Sequence, residues 1–316
     1  MTEGVDWVLE GVSRRGWQGR VVRAERVGGL GNAIERLRAE GLLDEAFAGE
    51  RLSFFSFDLP DDLPEARSLI VIAVPASAVR LTFHWKGAAR EAVLPPTYAG
   101  YNATTRRVQD AVTSMLEEGS WRSARPLLPL KTLAAHSGLA TYGRNNITYV
   151  PGMGSYAQLV ALFSDLPCEE DVWGEPAMLE RCEACRACWK ACRSGAIPEG
   201  RFLLRAERCL TYHNERQIPF PDWIEHGWHN SLMGCLQCQR VCPEDKPFRE
   251  WVEEGEAFSE EETSLLLDGP AREALPEALA EKLAKLDLLD DLGVLGRNLG
   301  ALMKAKGGRG SVIGDR

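Results

Sequence analysis

The chain has no apolar run near the ~20 residues that a membrane-spanning helix needs. Its opening stretch, Met1 to Gly16, carries acidic residues early and lacks the apolar core of a secretory signal. A cytoplasmic location with no membrane partner is the expectation. There is no internal repeat, which excludes solenoids and propellers. Basic charge is short: net charge is −9, so a nucleic-acid-binding face would have to be a local patch, and tRNA is a doubtful partner. The Gly28-Gly29-Leu30-Gly31 cluster lacks the G-x-G-x-x-G register and the acidic residue expected downstream, so it reads as a turn.

Cysteine is plentiful. Nine cysteines without a signal segment point to a reducing compartment and to metal ligation, not to disulfides. Cys182, Cys185, Cys188 and Cys192 are spaced C-x2-C-x2-C-x3-C; Cys235, Cys238 and Cys242 are spaced C-x2-C-x3-C and followed by Pro243. Cys209 supplies the position that the second run lacks. This is the bacterial-type spacing for two 4Fe–4S clusters, in which the last cysteine of each run ligates the other run's cluster. One cluster is therefore assigned Cys182, Cys185, Cys188 and Cys242; the other takes Cys192, Cys209, Cys235 and Cys238. All-cysteine zinc sites and a disulfide framework are the competing readings, but zinc ribbons use two separated C-x2-C knuckles per ion. Cys168 stands outside both runs and reads as a buried thiol, a redox-sensitive thiol or an unusual ligand. His213, His226 and His229 read as structural or as hydrogen-bond donors to cluster sulfur, and Trp189, Trp223 and Trp228 as shields for the clusters.

Hydrophobic periodicity predicts a helix over 5–16, a short strand over 20–26 and a helix from the glycine turn to Glu40. Ser68 to Pro75 is a continuous apolar run and reads as a buried central strand. Residues 81–85 and 91–94 suit paired strands, and 98–102 a loop. Helices are expected over 104–118 and 130–136, the second stopped by Gly138. Strands are expected over 148–150 and 155–163. After Pro247 the chain reads as acidic and helical, with a helix or helix pair over 286–304 and a mobile tail from Gly307. The expected class is α/β, an α+β sandwich, with a cysteine-rich ferredoxin-like insert and a short C-terminal helical segment. The divisions fall at 1–167, 168–250 and 251–316.

Several segments carry a resemblance. They are Leu63 to Pro75, Ser137-Gly-Leu-Ala-Thr-Tyr-Gly-Arg-Asn145, Gly154-Ser-Tyr156 through Asp165-Leu166, the two cysteine runs with Arg208-Cys209, and Leu295 to Leu302. Together they resemble the epoxyqueuosine reductase family, which is related to the cobalamin-dependent reductive dehalogenases. The resemblance implies a nitroreductase-like sheet and a cobalamin between the α/β domain and the clusters. It also implies electrons passing to cobalt from a donor such as ferredoxin or flavodoxin. Tyr98, Tyr142, Gly143, Arg144, Asn145, Gly154, Ser155 and Tyr156 become cofactor-binding candidates. Tyr101, Arg144 and His136 become candidates for catalysis, with a helix-capping role as the alternative for His136. Two departures stand out. The family's proton-donating aspartate falls in a stretch that here reads Ser123 to Lys131 without a carboxylate, and its arginine-rich loop is reduced to Tyr98-Ala-Gly-Tyr-Asn102. The expectation is a paralogue that reduces a different, small-molecule substrate. Its alternatives are an electron-transfer or corrinoid-handling protein that serves a partner corrinoid protein, and an epoxyqueuosine reductase with a relocated acid.

Overall fold

A computed structural model describes residues 3–200 and 202–305. The tail expected to be mobile lies outside the described residues. Four strands form an antiparallel sheet in the order β1 (Gln18–Arg23), β2 (Ser68–Pro75), β8 (Ala157–Ser164) and β5 (Ser123–Ala124). A second sheet has the order β4 (Ala88–Leu94), β3 (Ala78–Trp85) and β9 (Val252–Phe258), and β6 (Thr141–Tyr142) pairs with β7 (Thr148–Tyr149). Among the described residues no helix is long and apolar enough to cross a membrane.

Why β2 is apolar throughout follows from its two covered faces. Side chains alternate across a strand. Leu69, Val71 and Ala73 pack with α2 (Val27–Ala39) and α5 (Leu130–His136) on one side. Ile70, Ile72 and Val74 meet α1 (Glu3–Ser13) and α4 (Tyr101–Glu118) on the other. Helix α3 (Glu45–Arg51) follows α2, its start capped by Asp44, which accepts from Phe47 N at 2.8 Å.

The second sheet builds a separate core. Leu81 and Phe83 of β3 and Phe258 of β9 pack with α9 (Glu260–Asp268), α10 (Glu277–Lys285) and α11 (Leu292–Ala305). Phe83 and Phe258 stack at 4.6 Å between centroids. The C-terminal helices thus share a core with the β3–β4 hairpin, and Leu232 and Met233 from the cysteine-rich segment join it.

Four expectations are corrected. The Gly28–Gly31 cluster lies inside α2, not in a turn. A Cβ on Gly31 would come within 3.0 Å of the Phe57 ring, so the missing side chain lets that ring seat on the helix. The acidic stretch 252–258 is a strand, pairing parallel with β3 across a register shift near Arg80. There a Cβ on Gly255 would meet Val79 at 2.4 Å, a close approach that only glycine allows. Tyr101 opens α4 and is not a loop residue; Gly100 before it takes φ +60°. Of the stretch 286–304, expected as one helix or a helix pair, only the part from Leu292 on is helical (α11), because α10 already ends at Lys285.

Candidate functional site: two cysteine quartets below an apolar cavity

The cysteine segment is mostly irregular, with short helices α6 (Ala187–Ala191), α7 (Leu210–Glu215) and α8 (Gln237–Arg240). Cys182, Cys185, Cys188 and Cys242 line one cavity of about 20 Å³. Cys192, Cys209, Cys235 and Cys238 line another of about 60 Å³. These are the two quartets that the spacing assigns. Helix α6 explains the exchange: Cys188 lies within it and Cys192 just past its end, so the x3 step carries the last sulfur to the neighbouring site. Helix α8 does the same for Cys238 and Cys242.

Each quartet surrounds a space. Among the described residues no group of three or more His, Cys, Asp or Glu side chains has the geometry to hold a single metal ion. Burial first, then neighbouring thiols, pushes Cys188 and Cys209 up to about 11. Such sulfurs become thiolates where iron replaces their protons, which fits a cluster as the occupant.

Several contacts hold the quartets to the rest of the chain. Asp245 accepts from Ser155 N at 2.8 Å and from Ser155 Oγ at 2.7 Å. Gln239 Nε2 donates to the same Oγ at 2.8 Å. On the other side, Asn298 of α11 donates to Asn214 O at 2.9 Å and Leu232 O at 3.0 Å. The neighbouring Arg297 guanidinium lies 4.0 Å from the Phe220 ring centre.

Above the second quartet lies a cavity of 1090 Å³ that opens to solvent. Ordinary ligand pockets hold roughly 300–1,000 Å³. Its walls come from α2, α3, α5 and residues 202–215, with Leu37, Phe47, Phe55, Leu128 and Leu130 among the apolar lining. Phe54, Leu127 and Phe202 stand at its rim, 54%, 62% and 39% exposed. Cys209, Leu204 and Thr211 belong to both this cavity and the second quartet's. The volume and apolar lining suit a large group, and the shared wall would set it beside the second quartet.

The candidate residues divide among these spaces. Tyr101, Tyr142 and His136 line the large cavity. His136 is 4% exposed, stacks on Trp173 at 4.8 Å, and its Nδ1 donates to Gly174 O at 2.7 Å. Gly143 and Arg144 face the first quartet instead. Arg144 donates to Cys182 O at 2.6 Å, so its cation points away from the cofactor-sized cavity. Asn145 lines both quartet cavities. Gly154, Ser155 and Tyr156, expected to bind a cofactor, dock the cysteine segment: Gly154 and Ser155 meet Asp245, and the Tyr156 ring packs near Phe248. Tyr98 lies behind the cavity wall, its hydroxyl donating to Glu215. Cys168 packs into the core against α1 and α4. Trp228 lines the second quartet's cavity with Trp223 next to it, and His213 bonds Glu207 O at 2.8 Å.

Sequence reasoning missed three charged groups in the large cavity: Arg51, Lys131 and Glu215. Glu215 ends α7, six residues after Cys209, and pairs with Arg51 at 3.2 Å. Burial raises its carboxyl above the usual carboxylate range, against the opposing pull of Tyr98, Arg51 and Lys131. Lys131 Nζ donates to Asn146 O at 3.3 Å. Crowding by protein lowers its ammonium while Cys209, Glu215 and Cys238 pull the other way, although water in the cavity reaches the side chain. The signal for Glu215 was its place on the short helix that begins after Cys209, not any local motif.

Comparison with known proteins agrees with this geometry. Residues 181–245 match the 4Fe-4S double cluster binding domain. An epoxyqueuosine reductase of Staphylococcus aureus is 26% identical over 193 residues, 58% of this chain and 50% of that protein. The Bacillus subtilis epoxyqueuosine reductase is 32% identical over 116 residues, 37% of this chain and 29% of that protein. The chain thus spans half or less of the length of these curated relatives. A crystal structure of an epoxyqueuosine reductase superimposes with a TM-score of 0.67 at 21% identity, covering 95% of this chain and 81% of the other. Residues 181–245 thus match the 4Fe-4S double cluster binding domain, set in a chain whose fold is similar to that of a solved epoxyqueuosine reductase.

Proposed function

We propose that the chain is an iron–sulfur reductase that passes electrons through its two clusters to a cobalamin in the large cavity, and that it reduces epoxyqueuosine in tRNA. The shared wall carries this reading. Cys209 is both a member of the second quartet and part of the large cavity's lining, so an electron on that cluster is one ligand away from the cavity's occupant. Segments 1–167, 168–250 and 251–316 then serve as cofactor-binding, cluster and supporting parts of a cytoplasmic enzyme. The electron source is a low-potential one-electron donor of the ferredoxin or flavodoxin class.

The apolar side chains around Phe55 and Leu128 would hold the corrinoid, with Tyr101, Tyr142 and Lys131 as polar contacts. When bound, cobalamin supplies a cobalt centre that takes up electrons at low potential. The protein's share is to bury that centre, keep water from it and manage protons. Negative total charge pointed away from tRNA, yet Arg36 and Arg125 stand exposed at the cavity mouth, where phosphate contacts would form. A solved epoxyqueuosine reductase bears a tRNA-Tyr stem loop carrying epoxyqueuosine.

The test is anaerobic reconstitution with iron, sulfide and cobalamin, followed by reduction and incubation with epoxyqueuosine-containing tRNA. Retained corrinoid absorbance and a queuosine nucleoside by mass spectrometry are expected. Failure to retain corrinoid overturns the proposal. Corrinoid that is reduced without turnover of the epoxide favours an electron-transfer or corrinoid-handling protein instead, the alternative that the carboxylate-free stretch Ser123 to Lys131 supports.

A further inference from the structure

We infer that Glu215 is the proton donor of this site: its carboxyl group, held between Tyr98 and Arg51 on the wall that carries Cys209, gives a proton to the oxygen leaving the substrate. The inference rests on the reductase proposed above and supplies the acid missing from Ser123 to Lys131.

An epoxide, two electrons and two protons give an alkene and water. Both carbon–oxygen bonds of the epoxide break, the carbon–carbon double bond forms, and the oxygen departs as water. Electrons arrive one at a time through the clusters from the ferredoxin- or flavodoxin-class donor. Glu215 supplies one proton and regains it from water at the cavity mouth; solvent supplies the other. Protonating the departing oxygen is general acid catalysis, commonly worth about 10²–10⁴-fold.

Every packed element that faces Glu215 contributes a charged or titratable group. Tyr98 comes from the turn before α4, Arg51 from α3, Lys131 from α5, and Asp291 from the residue ahead of α11. Burial moves its carboxyl upward from the usual carboxylate range, against the Tyr98 hydroxyl, Arg51 and Lys131, which favour the ionised form. Tyr101 also lines the cavity, but burial pushes its phenol further up from an already weakly acidic value. Lys131 also lines the cavity, with its ammonium donating to the Asn146 carbonyl at 3.3 Å.

The experiment compares reconstituted wild type with Glu215→Gln, Glu215→Asp and Arg51→Gln. Wild-type turnover is expected to fall as pH rises through the Glu215 titration. Glu215→Gln is expected to lose about 10²-fold and that pH limb with it, and Glu215→Asp to recover part of both. Arg51→Gln, which removes a cation favouring the carboxylate, should move the limb to higher pH. Infrared spectroscopy of protein holding only its clusters gives a readout apart from turnover: a protonated-carboxyl band that titrates in wild type and is missing in Glu215→Gln. Unchanged rate and pH profile in Glu215→Gln would overturn the inference, as would an infrared band identical in the two proteins. A wild type that converts no epoxide overturns the reductase reading instead, and the infrared titration still decides whether Glu215 holds a transferable proton.

Discussion

Asn145 Nδ2 donates to the Tyr149 hydroxyl at 3.0 Å, and this pair fills the wall between the two cysteine quartets. The Asn145 amide faces the Cys238 thiol and the Tyr149 hydroxyl faces the Cys242 thiol, so one short polar chain touches a ligand of each site. Hydrogen bonds to ligand sulfur stabilise the more negative, reduced cluster and raise its potential. Asn145→Leu should lower the potential of the second cluster and slow transfer between clusters by about 10–100-fold. Tyr149→Phe should act mainly on the first. Potentiometric titration followed by electron paramagnetic resonance resolves the two. If both substitutions leave both potentials unmoved, the pair is only packing.

Ser155 joins the first sheet to the cluster segment through Asp245 and Gln239. Ser155→Ala removes the acceptor of Gln239 Nε2 and the Oγ donor to a buried carboxylate. Leaving buried polar groups unpaired costs about 1–3 kcal/mol. The expected result is a lower urea midpoint together with faster iron loss, because Asp245 follows Cys242 by three residues. Iron retention equal to wild type would mean that the cluster segment holds its shape without this tether.

What was legible in the sequence was what local chemistry dictates. The quartets follow from thiol spacing, β2 from its unbroken apolar run, and the end of α5 from Gly138 with φ +71°. What was not legible depends on distant partners. Gly31 belongs in a helix because Phe57 rests on it, and the acidic stretch 252–258 is a strand because β3 offers it an edge. The same holds at the site. Arg144 matches the expected turn, yet the Cys182 carbonyl draws its guanidinium away from the cavity. Glu215 has no motif; it matters because α7 turns its end toward a cavity built by α3 and α5.

His229 gives a pH prediction. It is 6% exposed, neither ring nitrogen has a partner among the described residues, and burial first, then His226 and Arg297, lowers it to about 4. Its pKa in the unfolded chain is about 6.5. Between those values the unfolded chain binds the extra proton, so stability is lost as pH falls from about 6.5 toward 4. At 1.36 kcal/mol per unit the loss is at most about 3 kcal/mol. His229→Phe should flatten that part of the stability curve, as read from urea unfolding at several pH values. An unchanged slope would show that the ring is protonated or solvated in the folded protein.

Gly234 sits just before Cys235 with φ +63°, and a Cβ there would come within 2.6 Å of the Tyr98 ring. Left-handed backbone costs a non-glycine residue roughly 1–2 kcal/mol, and the ring must also move. Tyr98 is the hydroxyl that bonds Glu215, so the disturbance travels two ways: along the chain to a ligand of the second quartet, and through the ring to the cavity. Gly234→Ala should therefore reduce iron content at the second site and shift the Glu215 titration, whereas Tyr98→Phe should shift the titration alone. Iron analysis and infrared titration on the two variants separate the routes. Equal iron loss in both would mean that the phenol, not the backbone before Cys235, holds the second quartet in shape.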